Sequence, residues 1–356
     1  MNTLSKAISV LSISLIISMG GVEIIAQTRC YTTNYNKAEQ LYRQGRYAEA
    51  RRHYAAASAC PDKPKQNNIA ARISACDNAI REREEAERRR KLEEMRQAEA
   101  AKQEFIDKYV RTFTLNGISL TTITVNGVSF TMILVEGGTF TMGDNSVIYT
   151  FYDVLEGTNY RFTATEHQVT LSDYYIGQTE VTQALWKAVM GDEQWMLDEN
   201  RGDNKPVNAT WDEWQDFIDR LNKMTGLKFR MPTEAEWEYA AMGGNRSRGY
   251  IYAGSNDLDE VAWYEENSGG NYQPVAMKKP NELYLYDMSG NMNEWGSDWA
   301  APYSSAPQTN PTGPRSGKDH IARGGDIRYS NSHSFRIKTR ESIFSECGLR
   351  LALSAE

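Results

Sequence analysis

Apolar and polar positions change rhythm several times along this chain. After Lys6 an apolar, serine-diluted run covers residues 7–19, and residues 24–26 end in the small side chain of Ala26. Over residues 38–57 small and aromatic side chains recur at helical spacing with Gly45 between them, which predicts a helical hairpin. Residues 77–104 then carry nine acidic and eight basic side chains and almost no apolar stripe. Strands begin after Tyr109. Residues 118–125 and 128–135 are rich in β-branched side chains and flank Asn126-Gly127, a strong hairpin signal. Residues 136–143 continue the strand pattern, and 148–155 with 160–165 read as an inserted second hairpin. Three helices follow. The first runs from Thr182 to Met190 and stops at Gly191. The second opens on a Thr210/Glu213 capping box, buries Trp211, Trp214, Ile218 and Leu221, and ends at Gly226. The third opens on a Thr233/Glu236 box and runs to Gly243-Gly244. Beyond that, turns dominate.

The first run has the form of a secretory signal over 1–26, and export is the expectation. An uncleaved anchor is the alternative, since residues 7–26 are just long enough to span; Glu23 argues against it. The hairpin, assigned to 30–76, resembles one tetratricopeptide repeat, with Ala50, Tyr54 and Ala57 as packing positions. Such repeats normally come in arrays of at least three. It is therefore read either as a dock for an envelope-associated partner or as a small clamped hairpin. The charged stretch, 77–108, has the i,i+4 pairs Glu84–Arg88, Glu85–Arg89 and Glu87–Lys91, and only Leu92 and Met95 could seed a coiled-coil seam. It reads as a helical spacer of roughly 40 Å. The remainder, 112–355, forms one large domain.

Composition sharpens this division. All eight tryptophans lie between Trp186 and Trp299, and all but three glycines follow residue 110. The formal charge of -7 is spread out, with no basic stripe for a nucleic-acid partner. Export permits disulfides. Of Cys30, Cys60, Cys76 and Cys347, the pair Cys60–Cys76 is expected, because it brackets a short Pro-containing connection between two helices. Closing that loop would stabilise by about 3 kcal/mol. Cys30 and Cys347 stay unassigned.

Several motifs of the large domain resemble the sulfatase-modifying factor, or formylglycine-generating enzyme, family when taken together. They are Val135-Glu-Gly-Gly-Thr-Phe-Thr-Met-Gly143, Tyr175-Ile-Gly-Gln-Thr-Glu-Val-Thr182 and Arg230-Met-Pro-Thr-Glu-Ala-Glu-Trp-Glu-Tyr-Ala-Ala241. Leu285-Tyr-Asp-Met-Ser-Gly-Asn291, Arg323-Gly-Gly325 and Gly348-Leu-Arg350 follow in the family's order. The resemblance covers roughly two thirds of the chain. It implies an irregular α+β domain related to the C-type-lectin fold, here preceded by the hairpin and the long charged helix.

The family's chemistry is another matter. Its oxidases hold copper between two cysteines five residues apart, because thiolates suit Cu(I); a serine follows the Arg-Gly-Gly. The corresponding positions here are Tyr329, Ser334 and Asp326, while Arg336 persists. A phenol and a hydroxyl cannot make a two-thiolate site, so no copper and no catalytic residue is expected. Cys347 is a single thiol. His53, His167, His320 and His333 are too dispersed for the iron site of the family's sulfoxide synthases. Relatives use the turn at Gly290-Asn-Met-Asn-Glu-Trp295 to hold a structural calcium, so Asn291 and Glu294 are read as calcium ligands or as caps of a turn. Asn293 stands where the family has tryptophan.

Asp326, Arg328, Tyr329, Asn331, His333, Ser334 and Arg336 form the expected ligand-binding cleft. Mixed donors, acceptors and a ring suit a protein or glycan ligand; solvated loop side chains are the plain alternative. The reading is an extracytoplasmic, non-catalytic member serving ligand binding or envelope assembly. Its rivals are a formylglycine-generating oxidase acting on a sulfatase cysteine and a tetratricopeptide-type scaffold.

Overall fold

The computed structural model describes residues 30–153, 158–191, 200–343 and 346–355. The expected signal, residues 1–26, lies outside the described residues. Two compact units divide the chain between Gln97 and Ala98.

In the first unit, α1 (Cys30–Arg43) and α2 (Tyr47–Ala59) form the hairpin, and Gly45 at φ 72° makes the turn. A third helix, α3 (Ile69–Tyr109), begins earlier than the charge pattern suggests. Its first turns explain how a lone repeat is stable. Ile69 and Cys76 pack with Ala38, Leu41, Ala50, Tyr54 and Ala57 to close the core that two helices leave open. Arg72 of α3 also pairs with Glu39 at 2.9 Å, and the Tyr54 hydroxyl donates to Glu39 at 2.6 Å. Further along, the helix is held by exposed pairs such as Lys91–Glu87 at 2.9 Å, which contribute little individually. Leu92 and Met95 stay 49% and 69% exposed, so they seed no seam within the chain.

The disulfide differs from expectation. Cys60 is bonded to Cys30, and Cys76 is a buried free thiol. Antiparallel helices place the end of α2 beside the start of α1, whereas Cys76 lies two turns into α3 and faces the core. Asp62, just past Cys60, accepts from the Tyr31 backbone N–H at 3.0 and 3.2 Å and so caps α1. Non-reducing peptide mapping should recover a Cys30–Cys60 link with Cys76 alkylated only after unfolding. Replacing both bonded cysteines by alanine should cost the hairpin about 3–4 kcal/mol; a Cys60–Cys76 link would contradict the assignment.

The second unit is built on a six-stranded antiparallel sheet in the order β1-β2-β3-β6-β12-β7. Its strands are β1 (Val110–Leu115), β2 (Ile118–Val125), β3 (Val128–Val135), β6 (Tyr174–Gly177), β7 (Phe229–Arg230) and β12 (Ala352–Ser354). The Asn126-Gly127 hairpin is present with both residues at positive φ, and Asn116-Gly117 makes a second one joining β1 to β2. The inserted hairpin belongs to one long pair, β4 (Gly138–Asp153) with β5 (Thr158–Leu171), whose register shifts between Asp144 and Ile148, and the short β9 (Gln308–Thr309) pairs in parallel with β5. Alternating side chains feed two cores. Ile118, Leu120, Ile133 and Val135 face Trp237 and Tyr239, while Ile123, Val125 and Met132 face Trp186, Trp214 and Phe217.

The three expected helices are α4 (Gln183–Met190), α5 (Trp211–Thr225) and α6 (Glu234–Ala241). Both capping boxes form, and Gly226 ends α5 in the left-handed region. Trp211 is only half-buried; Phe217 takes the buried place on that face. Helix α6 is buried on every side. Asp298 lies on β8 (Glu294–Trp299), which joins β10 (His320–Arg323) and β11 (Glu341–Ile343) in a three-stranded sheet. Its carboxylate accepts from the first backbone N–H of α6 at 3.0 Å. Burial, and then the charge of Glu234, push the Asp298 carboxyl up to about 7. Between its ordinary pKa near 4 and about 7, the folded chain keeps a proton that the unfolded chain has lost. This group therefore subtracts stability as pH rises through that window and subtracts no more above it. Asp298→Asn, which keeps an acceptor, should raise the denaturation midpoint clearly at pH 8 and little at pH 4. An equal gain at both would count against this account.

Candidate functional site

The segment that follows β10 begins with a tight double-glycine turn. Gly324 and Gly325 have φ of 101° and 85°, and a Cβ on Gly325 would lie 2.6 Å from the Phe335 ring. Only glycine fits there. The Gly325 backbone N–H donates to Asn293 Oδ1 at 2.8 Å, which ties this turn to the start of β8.

Asp326 then points inward. Its carboxylate accepts from Arg328 Nε at 2.6 Å and Nη2 at 3.1 Å, and from the Tyr272 hydroxyl at 3.4 Å. Expected at the cleft surface, it is instead a buried anchor that orients Arg328, whose side chain remains 61% exposed. Tyr329 is half-buried. Its hydroxyl donates to Glu341 Oε2 at 2.9 Å and accepts from Asn293 Nδ2 at 3.2 Å. Asn293 Nδ2 also reaches Glu341 Oε2 at 3.3 Å. Burial pushes the Glu341 carboxyl up, and the donors Tyr329 and Asn293 pull partly against that shift.

The rest of the predicted set sorts by depth. Asn331 Oδ1 accepts from the His333 backbone N–H at 3.0 Å and opens a short 3-10 turn, Ser332–Phe335. Asn331 and His333 are exposed, Ser334 and Arg336 half-buried, and Phe335 is buried beside Tyr264 and Tyr329. Arg328, Asn331 and His333 are thus displayed, over a base of Tyr329, Asn293 and Glu341. Glu341 and Tyr272 were not legible in the sequence, because neither sits in a motif.

The calcium reading does not fit the side chains found. Glu294 is fully buried and accepts from Arg350 Nη2 at 2.6 Å, Arg350 Nε at 3.0 Å and Trp237 Nε1 at 2.7 Å. The Asn291 amide is spent on the backbone of Gln273, accepting at 3.0 Å and donating at 3.3 Å. Both act as structural pins. Copper fares no better on donor chemistry. Tyr329 and Ser334 offer oxygen, and Cys347 is one thiol, 1% exposed, whose pKa burial drives well above the usual range. Its backbone is bridged to Ala209 in both directions, so it belongs to the scaffold.

The tyrosine and asparagine at positions 329 and 293 form one hydrogen-bonded pair, so the two positions are physically coupled. Tyr329→Phe should cost about 1–2 kcal/mol and raise the Glu341 carboxyl further, because a donor is lost. In a double-mutant cycle with Asn293→Ala, the two losses should fall short of additivity. Denaturation midpoints and side-chain NMR titration read these quantities; full additivity would dissolve the pair.

Comparison with known proteins agrees with this architecture. The family model for the sulfatase-modifying factor enzyme 1-like domain matches residues 124–355. A protein named chaperone protein LppX from Paenibacillus barcinonensis is 36% identical over 185 residues, covering 38% of this chain and 65% of that protein. The formylglycine-generating enzyme of Bos taurus is 32% identical over 194 residues, covering 48% of this chain and 49% of the enzyme. The chain thus spans less than two thirds of each. Among solved structures, Treponema denticola variable protein 1 superposes with a TM-score of 0.56 at 29% identity, covering 66% of this chain and 98% of that one. PvdO from Pseudomonas aeruginosa shares the fold, with a TM-score of 0.51 at 22% identity over 63% of this chain and 94% of its own. The chain belongs to the sulfatase-modifying factor enzyme 1-like domain family.

Proposed function

We propose that this chain is an exported, non-catalytic member of its family that binds a polar protein or glycan ligand. The displayed side chains Arg328, Asn331 and His333 would make the contacts. One observation carries the reading: at the positions where family oxidases place paired thiolates, this chain has Tyr329 and Ser334, and the phenol is tied to Asn293 and Glu341. Oxygen activation of the family's kind needs soft sulfur donors, whereas a phenol hydrogen-bonded to the half-buried carboxyl of Glu341 serves to hold a surface in shape. Rigid support beneath exposed polar groups is what recognition requires. The Cys30–Cys60 disulfide supports an oxidising, extracytoplasmic setting. A relative named as a chaperone supports a polypeptide as the bound class.

Co-expression with a peptide carrying the C-x-P-x-R sulfatase motif, followed by mass spectrometry, provides the test. The peptide cysteine should stay unmodified, and purified protein should take up no stoichiometric Cu(I). Conversion to formylglycine, or copper binding lost on Cys347→Ser, would overturn the non-catalytic reading.

A further inference from the structure

The outer strand of the six-stranded sheet, β1, pairs with β2 on one side, and among the described residues no strand lies along its other side. All of its residues but Val110 are exposed, and Phe113 and Leu115 are 51% and 43% exposed. An open strand edge is a template for a further strand, and folded chains usually blunt it with a charge, a proline or a bulge. None of these devices is in place here. The register to β2 is continuous from Val110 to Leu115. The strand's only charge, Arg111, is folded back: its Nη1 donates to the carbonyls of Asp107 at 3.1 Å and Val110 at 2.7 Å, and its Nη2 to that of Lys108 at 3.2 Å. It meets the end of α3 and leaves the edge neutral.

The turn fixes which backbone groups are free. Asn116 and Gly117, at φ of 50° and 76°, close a two-residue hairpin on the pair Leu115–Ile118. In such a hairpin the closing pair exchanges both backbone bonds, and bonded and non-bonded pairs alternate from there. Arg111, Phe113 and Leu115 therefore turn their N–H and C=O toward β2, while Thr112 and Thr114 turn theirs outward. The same alternation puts Phe113 and Leu115 on the face of Leu120 and Ile118, which pack in the core with Trp237. Thr112 is on the opposite face, where its hydroxyl meets that of Thr121 at 3.0 Å.

We propose that β1 is a dimer interface, covered by β1 of a second copy of this chain running antiparallel about a twofold axis at Phe113. The sequence Thr112-Phe113-Thr114 reads the same in both directions, so this axis makes the edge its own complement. Thr112 meets the second copy's Thr114, and the outward N–H and C=O groups of each answer those of the other. The twofold repeats that pair. Phe113 meets its own mate at a non-hydrogen-bonded position, where Cα atoms approach to about 4.5 Å and side chains are closest. Leu115 lies against the stem of the second copy's Arg111, so the guanidinium groups, each bound to its own α3, stay apart. No like charges meet along the seam, and the threonine hydroxyls extend the Thr112–Thr121 contact across the axis. Such short edges bury less than the roughly 1,200 Å² at which stable interfaces begin, so the dimer is weak and concentration-dependent.

Sedimentation of the full chain across a wide concentration range tests this. A monomer–dimer equilibrium is expected, weakened at least tenfold by Phe113→Lys, which sets an ammonium against its own mate. Thr112→Pro, which removes an outward donor and no bond to β2, should act likewise. Both positions are exposed, so the variants should melt as the parent does. Under mild oxidation Phe113→Cys should cross-link into a covalent dimer, because mates at that position lie within disulfide reach, whereas Leu115→Cys should not. A monomer at every concentration, a dimer indifferent to both substitutions, or cross-linking at 115 in place of 113 would each overturn the proposal. So would slow hydrogen exchange at Thr112 and Thr114 in a monomer, which would give the edge to a segment of this chain outside the described residues.

Discussion

Helix α6 imposes the constraint that organises the large unit. It is buried on all sides, yet it carries carboxylates at Glu234, Glu236 and Glu238. Each must be met by a cation brought from elsewhere, because an unpaired charge there would be untenable. Arg340 grips Glu234 at 2.7 and 2.5 Å, and Arg323 lies 3.2 Å from the same carboxylate while also pairing with Glu238. Arg230 closes on Glu236 at 2.6 and 2.7 Å. Trp237, between them, donates to Glu294, which Arg350 holds from the other side. Breaking one such buried pair costs about 3–5 kcal/mol, although the intact pair adds little over an apolar substitute. The network therefore specifies which segments meet more than it stabilises them.

That specification explains how a region so poor in regular structure holds its shape. The segments contributing Arg323, Arg340 and Arg350 bracket the loop that carries Tyr329 and His333. With its two ends pinned to α6 and to β8, the loop between Gly325 and Glu341 can vary its side chains without losing its path. Loops on rigid supports are where function changes most readily. On that support the phenol of Tyr329 is held in place by Asn293 and Glu341.

The first unit solves a different problem. Two short helices cannot bury both sides of a core, and a tetratricopeptide-like hairpin standing alone would leave Leu41 and Tyr54 wet. The start of α3 supplies Ile69 and Cys76 as the missing wall, and the Cys30–Cys60 bond fastens the open end. Cys76 is thereby committed to packing. Counting residues between cysteines suggested a different partner for Cys60, because loop length is local information, whereas helix adjacency is not.

The ordered motifs established the family; local signals in the sequence were enough for the hairpin at Asn126-Gly127, the caps at Thr210 and Thr233, and the helix stops at Gly191 and Gly226. Each depends on backbone chemistry within a few residues. That positions 329 and 334 carry oxygen and not sulfur was equally plain, since it is a matter of which atoms are present. Tertiary structure alone decided that Asp326 turns inward, that Glu341 lies beneath Tyr329, and that Glu294 is consumed by Arg350. Those outcomes depend on residues far apart in the chain meeting in a low-dielectric interior, where a carboxylate's role is set by whichever donor reaches it.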